Sequence, residues 1–325
     1  IGTGYVGLVH AAVCSEYGHD VYAHDIDRKK IADFTTGRSE LIEKYVNEPG
    51  LVNIIRETLG KSLHFSDDLE AVLEGTDAIF MCLPTPSDVD GSTNLTFYNA
   101  AAESIAEVLA HRQDKRRFVL VNKSTVPIGT ARHLEDIMKA HGVDNFGVAS
   151  NPEFLAEGTA VASARRPDRV VVGCDCKEDF NILRRVYSQF VHHVRIKYIE
   201  TTPETAEAIK YVANTMLLTY ISFWNGVGAK IGENMPNVNI DDLRLGVTSD
   251  DRISTWGSFV SNGAGGSCFG KDIASLIYQL RRVNVSTKML EASSEVNEYQ
   301  KVYLIDRAIT CLLYTSDAAD DYLNV

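Results

Sequence analysis

Along the first two hundred residues, apolar positions gather into short runs separated by stretches with helical spacing. The runs "VYAHD", "DAIFMCLPTP", "RFVLVNKST", "FGVASNPEF" and "RVVVGC" read as strands. Amphipathic segments such as "NLTFYNAAAESIAEVLAH" lie between most of them. That alternation predicts a mostly parallel sheet with helices on both faces. From Pro203 the period changes. Ala206, Ile209, Val212, Met216, Tyr220, Phe223, Val227 and Ile231 recur three and four residues apart, which predicts one long helix of about 30 residues. Core packing is the expected fate of most of this stripe, although such helices also sit between domains or at a dimer seam. Lys210 and Asn214 lie four apart beside it, and their polarity alone predicts a solvated face. Ile273, Leu276, Ile277 and Leu280 mark a further helix, preceded by a glycine- and serine-rich loop over 257–266.

Composition narrows the possibilities. The 325 residues favour two domains over one, and 23% charged with 45% apolar residues suits a packed core rather than disorder. A net charge of −12 disfavours nucleic acid or an acidic membrane as partner, and no apolar run reaches the length of a membrane span. Cys14, Cys82, Cys174, Cys176, Cys268 and Cys311 form no CxxC pair, and no histidine cluster has metal-ligand spacing. The expectation is a cytoplasmic protein with reduced thiols and no metal. Ile1 is not an initiator methionine, so most of a first strand is expected to lie upstream of it.

The opening "IGTGYVGLVHAAVCSEYGHDVYAHDID" supplies candidate chemistry. Gly2, Gly4 and Gly7 form GxGxxG ahead of a helix that Gly18 ends. Asp25 closes the next strand about 20 residues on, which is dinucleotide-binding spacing. Gly2 permits a tight turn, Gly4 lets backbone approach a pyrophosphate, and Gly7 allows close packing of helix on strand. The helix N-terminus favours the phosphates, and a free Asp25 accepting from ribose hydroxyls favours NAD over NADP. Three polar clusters follow later strands: Thr85, Lys123-Ser124-Thr125, and Asn151-Pro152-Glu153 with Glu157 beyond. Each alone reads as a capped turn. Together at the carboxyl edge of one sheet they predict a site.

In "GGSCFGKD", Cys268 precedes a predicted helix start and has Lys271 nearby. Both features favour thiolate over thiol. A metal reading fails for want of partner ligands, and a core reading for want of an apolar setting.

These segments resemble the UDP-glucose 6-dehydrogenases within the UDP-glucose/GDP-mannose dehydrogenase family. The resemblance rests on "GTGYVG", "CLPTP", "NKSTVPIGT", "SNPEFLAEGTA", "PDRVVVG", "EAIKYVANT", "DDRI" and "GGSCFGKD", in order from Ile1 to about Ala308. It implies an N-terminal Rossmann-like doubly wound parallel sheet over 1–200, followed by an all-α central domain with one long helix over 201–310. It also implies two successive oxidations of a sugar C6 alcohol to a carboxylate with two NAD⁺, UDP-glucose giving UDP-glucuronate. Cys268 would attack the intermediate aldehyde, giving a thiohemiacetal and then a thioester. Lys210 would stabilise the oxyanion and Asn214 would help hold it. Thr125 and Asp272 would position water or pass protons, and Glu157 would be the general acid/base, supported by Glu153. Phe154, Leu155, Ala156 and Glu157 would line the sugar. The loop of Gly257, Ser258, Phe259, Val260 and Ser261, with Gly265, would hold the nucleotide-sugar, and Arg252 would reach its diphosphate from a neighbouring subunit. Val6, Asp25, Lys30, Thr85, Thr125 and Glu157 would contact NAD, and Lys271 would neutralise charge near thiolate and cofactor. A homodimer or higher homo-oligomer is implied. So is a C-terminal UDP-binding domain, which is expected to be missing from this chain.

After "KVYLIDRAI" the pattern breaks, and "TCLLYTSDAADDYLNV" reads as a non-native tail over 311–325 without helical periodicity. Incomplete uridine recognition, an exposed apolar surface on the central helices and weak activity of the chain alone are the expectations. Three other readings stand beside the first: a GDP-mannose or other nucleotide-sugar dehydrogenase, an inactive NAD-binding scaffold, and a 3-hydroxy acid dehydrogenase, which would need no nucleophilic cysteine.

Overall fold

The computed structural model describes residues 1–266 and 268–322; the last three residues of the expected tail and Ser267 of the cysteine motif lie outside them. The chain forms two compact units. The first comprises Ile1–Pro86 and Thr93–Lys210, the second Ser87–Ser92 and the chain from Tyr211 onward.

Seven strands lie in the first unit: β1 Val21–His24, β2 Leu63–Ser66, β3 Ala78–Met81, β4 Phe118–Asn122, β5 Phe146–Ser150, β6 Arg169–Gly173 and β7 Lys197–Thr201. β1 and β2 form a parallel pair, and β3-β4-β5-β6-β7 form a five-stranded sheet, parallel except where β5 meets β6 at Ser150 and Gly173. Every residue of β4 is buried, as expected of a central strand covered on both faces. Ile1 and Gly2 link the two sheets. The Ile1 amine donates to Phe80 O (2.7 Å), Cys82 N donates to Ile1 O (2.8 Å), and Gly2 N donates to His24 O (2.8 Å). β2 and β7 have no counterpart among the apolar runs. β7 is an edge strand with an exposed or half-exposed pattern and two charged residues, and an edge needs little apolar sequence.

In the second unit, helices Ile240–Thr248, Phe269–Arg282 and Lys288–Tyr322 accompany the long helix. Leu218, Ile221, Ala264 and Ile273 form its small core, with Phe269, Ile277 and Leu290 against them. The long helix runs Pro203–Phe223, then a π turn Trp224–Gly228, then Ala229–Asn234. Its orientation overturns two expectations. Val212, Met216, Phe223 and Val227, read as core, are 43–65% exposed. Lys210 and Asn214, read as solvated, are 4% and 8% exposed. The buried side is a mixed one: Ala206, Glu207, Lys210, Tyr211, Asn214, Leu218, Ile221 and Asn225. A polar residue can be buried there because each meets a specific partner, which apolar spacing does not reveal. The last helix continues through Tyr322, so the absence of an apolar stripe after Ala308 does not end helical structure.

Glu207 belongs to the first unit. Its carboxylate accepts from Gly129 N (2.7 Å), Ala131 N (2.9 Å) and the Ser150 hydroxyl (3.0 Å), with no cation among these contacts. Burial pushes its pKa up to about 7 from the usual 4.5, against the opposing effect of those donors. The folded state therefore holds a proton that the unfolded chain releases between pH 4.5 and 7. The stabilisation is complete below the lower value and lost as pH rises through the upper one, about 3 kcal/mol in all. Denaturant midpoints should fall between pH 5 and 8, and Glu207→Gln should flatten that slope. An unchanged slope in the variant would remove Glu207 as its source.

Candidate active site

The glycine loop has the geometry that the first motif demands. Gly2 has φ +88°, and a side chain there would press within 2.4 Å of Cys82 O. A Cβ on Gly7 would lie 1.9 Å from Gly2 O, so only glycine lets the helix Tyr5–Glu16 start so close to the turn. Beside Gly4 the space is open, and Val6 is half-buried in the first turn. That helix carries no side-chain cap and no acidic residue in its first turn, leaving an N-terminus suited to a pyrophosphate.

Asp25 is not free, contrary to its sequence reading. Oδ2 accepts from Thr3 N, the Thr3 hydroxyl (both 2.8 Å) and Lys30 Nζ (2.7 Å), and Oδ1 accepts from Asp27 N (3.1 Å). Burial would raise this carboxyl, but Lys30 and the amides outweigh it and hold it at about 2. Asp25 is thus ionised and fixed in place at the end of β1, and Lys30 serves it as counter-ion. The cradle and this fixed anion together fit a dinucleotide whose ribose hydroxyls donate.

The polar clusters beyond β3, β4 and β5 meet in the first unit. Leu83 N donates to Ser124 Oγ and Ser124 Oγ donates to Leu83 O (both 2.7 Å), and Thr85 Oγ1 donates to Thr125 O (3.0 Å). Thr85 is buried and Thr125 half-buried. Asn151 N donates to Asn122 O (2.9 Å). The buried Lys123 donates to Asn151 Oδ1 (2.9 Å), and burial lowers its pKa.

After β5 the chain runs without regular structure through Glu153, Phe154, Leu155 and Ala156 to a turn at Glu157 and Gly158. Glu153 Oε1 pairs with Lys210 Nζ at 3.0 Å, with both side chains nearly inaccessible, and Oε2 accepts from Leu155 N. Phe154 lies under the Arg169 guanidinium (3.9 Å), with Lys210 Nζ 5.4 Å from its ring. Leu155 packs on the core beneath, whereas Ala156 and Glu157 are exposed. The motif's acid Glu157 therefore sits at the loop tip.

In the second unit, Cys268 is exposed and forms the N-cap of helix Phe269–Arg282. Asp272 N donates to Cys268 O (2.9 Å), placing Asp272 one turn on. The Asp272 carboxylate, 1% exposed, accepts from Asn214 Nδ2 (2.6 Å) and from Lys271 Nζ (2.7 Å). Lys271, expected near thiolate and cofactor, is engaged with this aspartate. Arg252 is exposed and folded onto Asp250, with Nη2 to Oδ2 at 2.6 Å.

The loop after Gly257 (φ +77°) has Ser258 buried, Phe259 and Val260 exposed, and Gly265 exposed. Its anchors escaped sequence reading. Asn225 Oδ1 accepts from Ser261 N (2.9 Å) and its amide donates to Ser261 Oγ (3.2 Å). Asn297 Oδ1 accepts from Ala264 N (2.7 Å) and its amide donates to Ala264 O (3.2 Å); Gln300 donates to Ser261 O (2.8 Å). All three anchors are almost fully buried. A second, polar stripe in the helix, Glu207, Lys210, Asn214 and Asn225, was the available signal. Among the described residues no group of three or more His, Cys, Asp and Glu could hold a metal ion, and no helix is long and apolar enough to cross a membrane.

Residues 1–191 match the model of the UDP-glucose/GDP-mannose dehydrogenase family NAD binding domain, and residues 204–299 match that family's central domain. The chain is 36% identical over 315 residues to UDP-glucose 6-dehydrogenase TuaD of Bacillus subtilis, covering 96% of the chain and 65% of that protein. A solved UDP-glucose dehydrogenase from the archaeon Pyrobaculum islandicum is 32% identical with TM-score 0.83, over 92% of this chain and 67% of that one. A GDP-mannose dehydrogenase structure from Pseudomonas aeruginosa is 28% identical with TM-score 0.70, over 92% and 67%.

Proposed function

Since the chain belongs to the UDP-glucose/GDP-mannose dehydrogenase family, we propose that its protein oxidises the C6 alcohol of UDP-glucose to the carboxylate of UDP-glucuronate, in two NAD-dependent steps through a covalent cysteine adduct. The observation that supports this reading most is Cys268 capping a helix whose next turn carries Asp272, buried and bonded to both Asn214 and Lys271. Bound NAD would supply the hydride acceptor for each step.

The chain's residues supply the rest. The glycine loop Gly2–Gly7 and the open space at Gly4 hold the pyrophosphate, Val6 contributes a backbone amide, and Asp25, kept ionised by Lys30, accepts from the ribose. Thr85 and Thr125 at the neighbouring strand ends face the same cofactor edge. Glu157 takes the proton of the C6 hydroxyl in the first oxidation. Cys268 sulfur then bonds to the aldehyde carbon, and Lys210 with Asn214 stabilises the oxygen anion. Loss of the second hydride leaves a thioester. Water adds under Asp272 and Thr125, the C–S bond breaks, and the acid is released with Cys268 regenerated. Glu153 to Glu157, Gly257 to Ser261 and Gly265 form the sugar and nucleotide contacts, with Glu153 setting the direction of Lys210 and Lys271 that of Asp272.

The exposed Val212, Met216, Phe223 and Val227 support association through a second copy, from which Arg252 would reach the diphosphate. A cytoplasmic setting is part of this proposal. GDP-mannose is the second reading, favoured by the likeness to the Pseudomonas structure. Measuring NADH with each sugar side by side tests both readings. Two NADH per UDP-glucose, with GDP-mannose poor, is expected. One NADH per sugar would sink the covalent mechanism, and preference for GDP-mannose would reverse the substrate.

A further inference from the structure

Glu48 has no role in the scheme above, yet it is a buried carboxylate that joins two distant parts of the first unit. It sits in "NEPGL", between helices Ser39–Glu43 and Leu51–Thr58. Its Oε1 accepts from the Tyr5 hydroxyl (2.6 Å) and from Gly158 N (2.6 Å), and Oε2 accepts from Ala160 N (3.0 Å). Tyr5 is the first residue of the helix that follows Gly4, so it moves with the dinucleotide loop. Gly158 and Ala160 immediately follow Glu157. Gly158 takes φ +83°, a conformation that suits glycine, with its N–H turned to Glu48. The Tyr5 hydroxyl also lies 3.4 Å from Ala156 O, on the other side of Glu157. Burial, and then the hydrogen bond to Glu48, raise the Tyr5 phenol above its ordinary range, so it stays a donor at working pH.

We propose that Glu48 is a positioning residue for the Glu153–Thr159 loop, and that Tyr5 couples this loop to cofactor binding. The catalytic consequence rests on the reading of Glu157 as acid/base. The loop is exposed from Ala156 to Thr159, and there the clasp on Gly158 and Ala160 ties it to the rest of the unit. A pyrophosphate seated on Gly2–Gly7 restrains the backbone of Tyr5. The phenol then restrains Glu48, whose remaining acceptor sites hold Gly158 and Ala160. Such coupling is reciprocal: ordering of the loop tightens cofactor binding by the same factor that cofactor binding favours the ordered loop.

The test is amide hydrogen exchange of 156–160 with and without NADH, for the parent chain, Tyr5→Phe and Glu48→Gln. NADH affinity is followed by its fluorescence. NADH should slow exchange in the parent. Tyr5→Phe should bind NADH several-fold more weakly and, even when saturated, show little of that protection. Glu48→Gln should exchange fast in both states. With UDP-glucose and NAD⁺, both variants should lower kcat roughly tenfold with the sugar KM within about twofold, a split that general loss of fold would not give. Tyr5→Phe keeps the clasp on Gly158 and Ala160, so it remains informative if Glu48→Gln folds poorly. Full protection in NADH-saturated Tyr5→Phe, or none in the NADH-bound parent, overturns the coupling. Failure of NADH to bind the parent overturns the dinucleotide site as well. Glu157→Gln separates the two claims: it should abolish turnover while keeping the protection, and turnover retained there sinks the acid/base reading alone.

Discussion

Cys268→Ser is expected to stop formation of the sugar acid, lowering its rate by at least about a thousandfold, while the first hydride transfer persists as a single slow equivalent. The thiol adds to an aldehyde readily and leaves readily from an acyl carbon. A serine hydroxyl at the same N-cap is a far weaker nucleophile near neutral pH, and its ester would hydrolyse more slowly. Cys268 is exposed at the start of a 14-residue helix, and serine is itself a good cap. Stability should therefore be unchanged, and lost activity must be chemical. The measurement is product analysis by NMR with NADH counted in parallel. Acid appearing at the parent rate would show that the carbon never passes through sulfur.

Lys210→Met should remove roughly two to three orders of magnitude of turnover, and it should also destabilise the first unit. The second effect follows from burial. Lys210 and Glu153 form an ion pair with side chains 5% and 11% exposed, and removing one partner strands the other charge, at a cost of about 3–5 kcal/mol. The two effects are separable. Lys210→Met combined with Glu153→Gln removes both charges and should regain most of the lost stability, with turnover still poor. Thermal midpoints and initial rates on the two variants and the pair decide it. Recovery of turnover in the double variant would make Lys210 a structural lysine. Continued instability of the double variant would mean that the pair's hydrogen-bonding geometry, rather than its charge balance, supports the loop.

The sequence made the chemistry easier to read than the packing. Gly2 and Gly7 were legible because the backbone beside each leaves no room for a side chain, and Gly4 and Asp25 because their spacing from those two is that of a dinucleotide site. Apolar runs located β1, β3, β4, β5 and β6 because those strands are substantially buried. They missed β2 and β7, most of whose residues are half-buried or exposed. The long helix was predicted in extent but reversed in orientation. Periodicity reports that two faces differ, and it cannot say which face finds partners. Lys210, Asn214 and Glu207 are inside because Glu153, Asp272 and the Gly129 and Ala131 amides meet them, and those partners come from 57 to 78 residues away in the chain. Glu48, Asn225, Asn297 and Gln300 were illegible for the same reason. Each is a polar residue whose meaning lies in the backbone it binds.

The π turn at Trp224–Gly228 constrains how the gene for this helix can change. A turn that holds one extra residue sets the angular phase between the stretch carrying Asn214, Leu218 and Ile221 and everything that follows it. Losing a single codon within the turn would restore an ordinary hydrogen-bond ladder with little change of phase, because its five residues sweep about as far as four of an α-helix. Losing one just before it, between Ile221 and Trp224, would instead rotate each later side chain by about 100° against the earlier ones. Asn225 could then no longer serve Ser261 while Leu218 and Ile221 keep the core. Point substitutions at Val212, Met216 or Phe223 face no such penalty within the unit. In-frame insertions and deletions of one residue should therefore be selected against in the helix up to Phe223, even where substitutions accumulate freely, and be better tolerated within the turn itself.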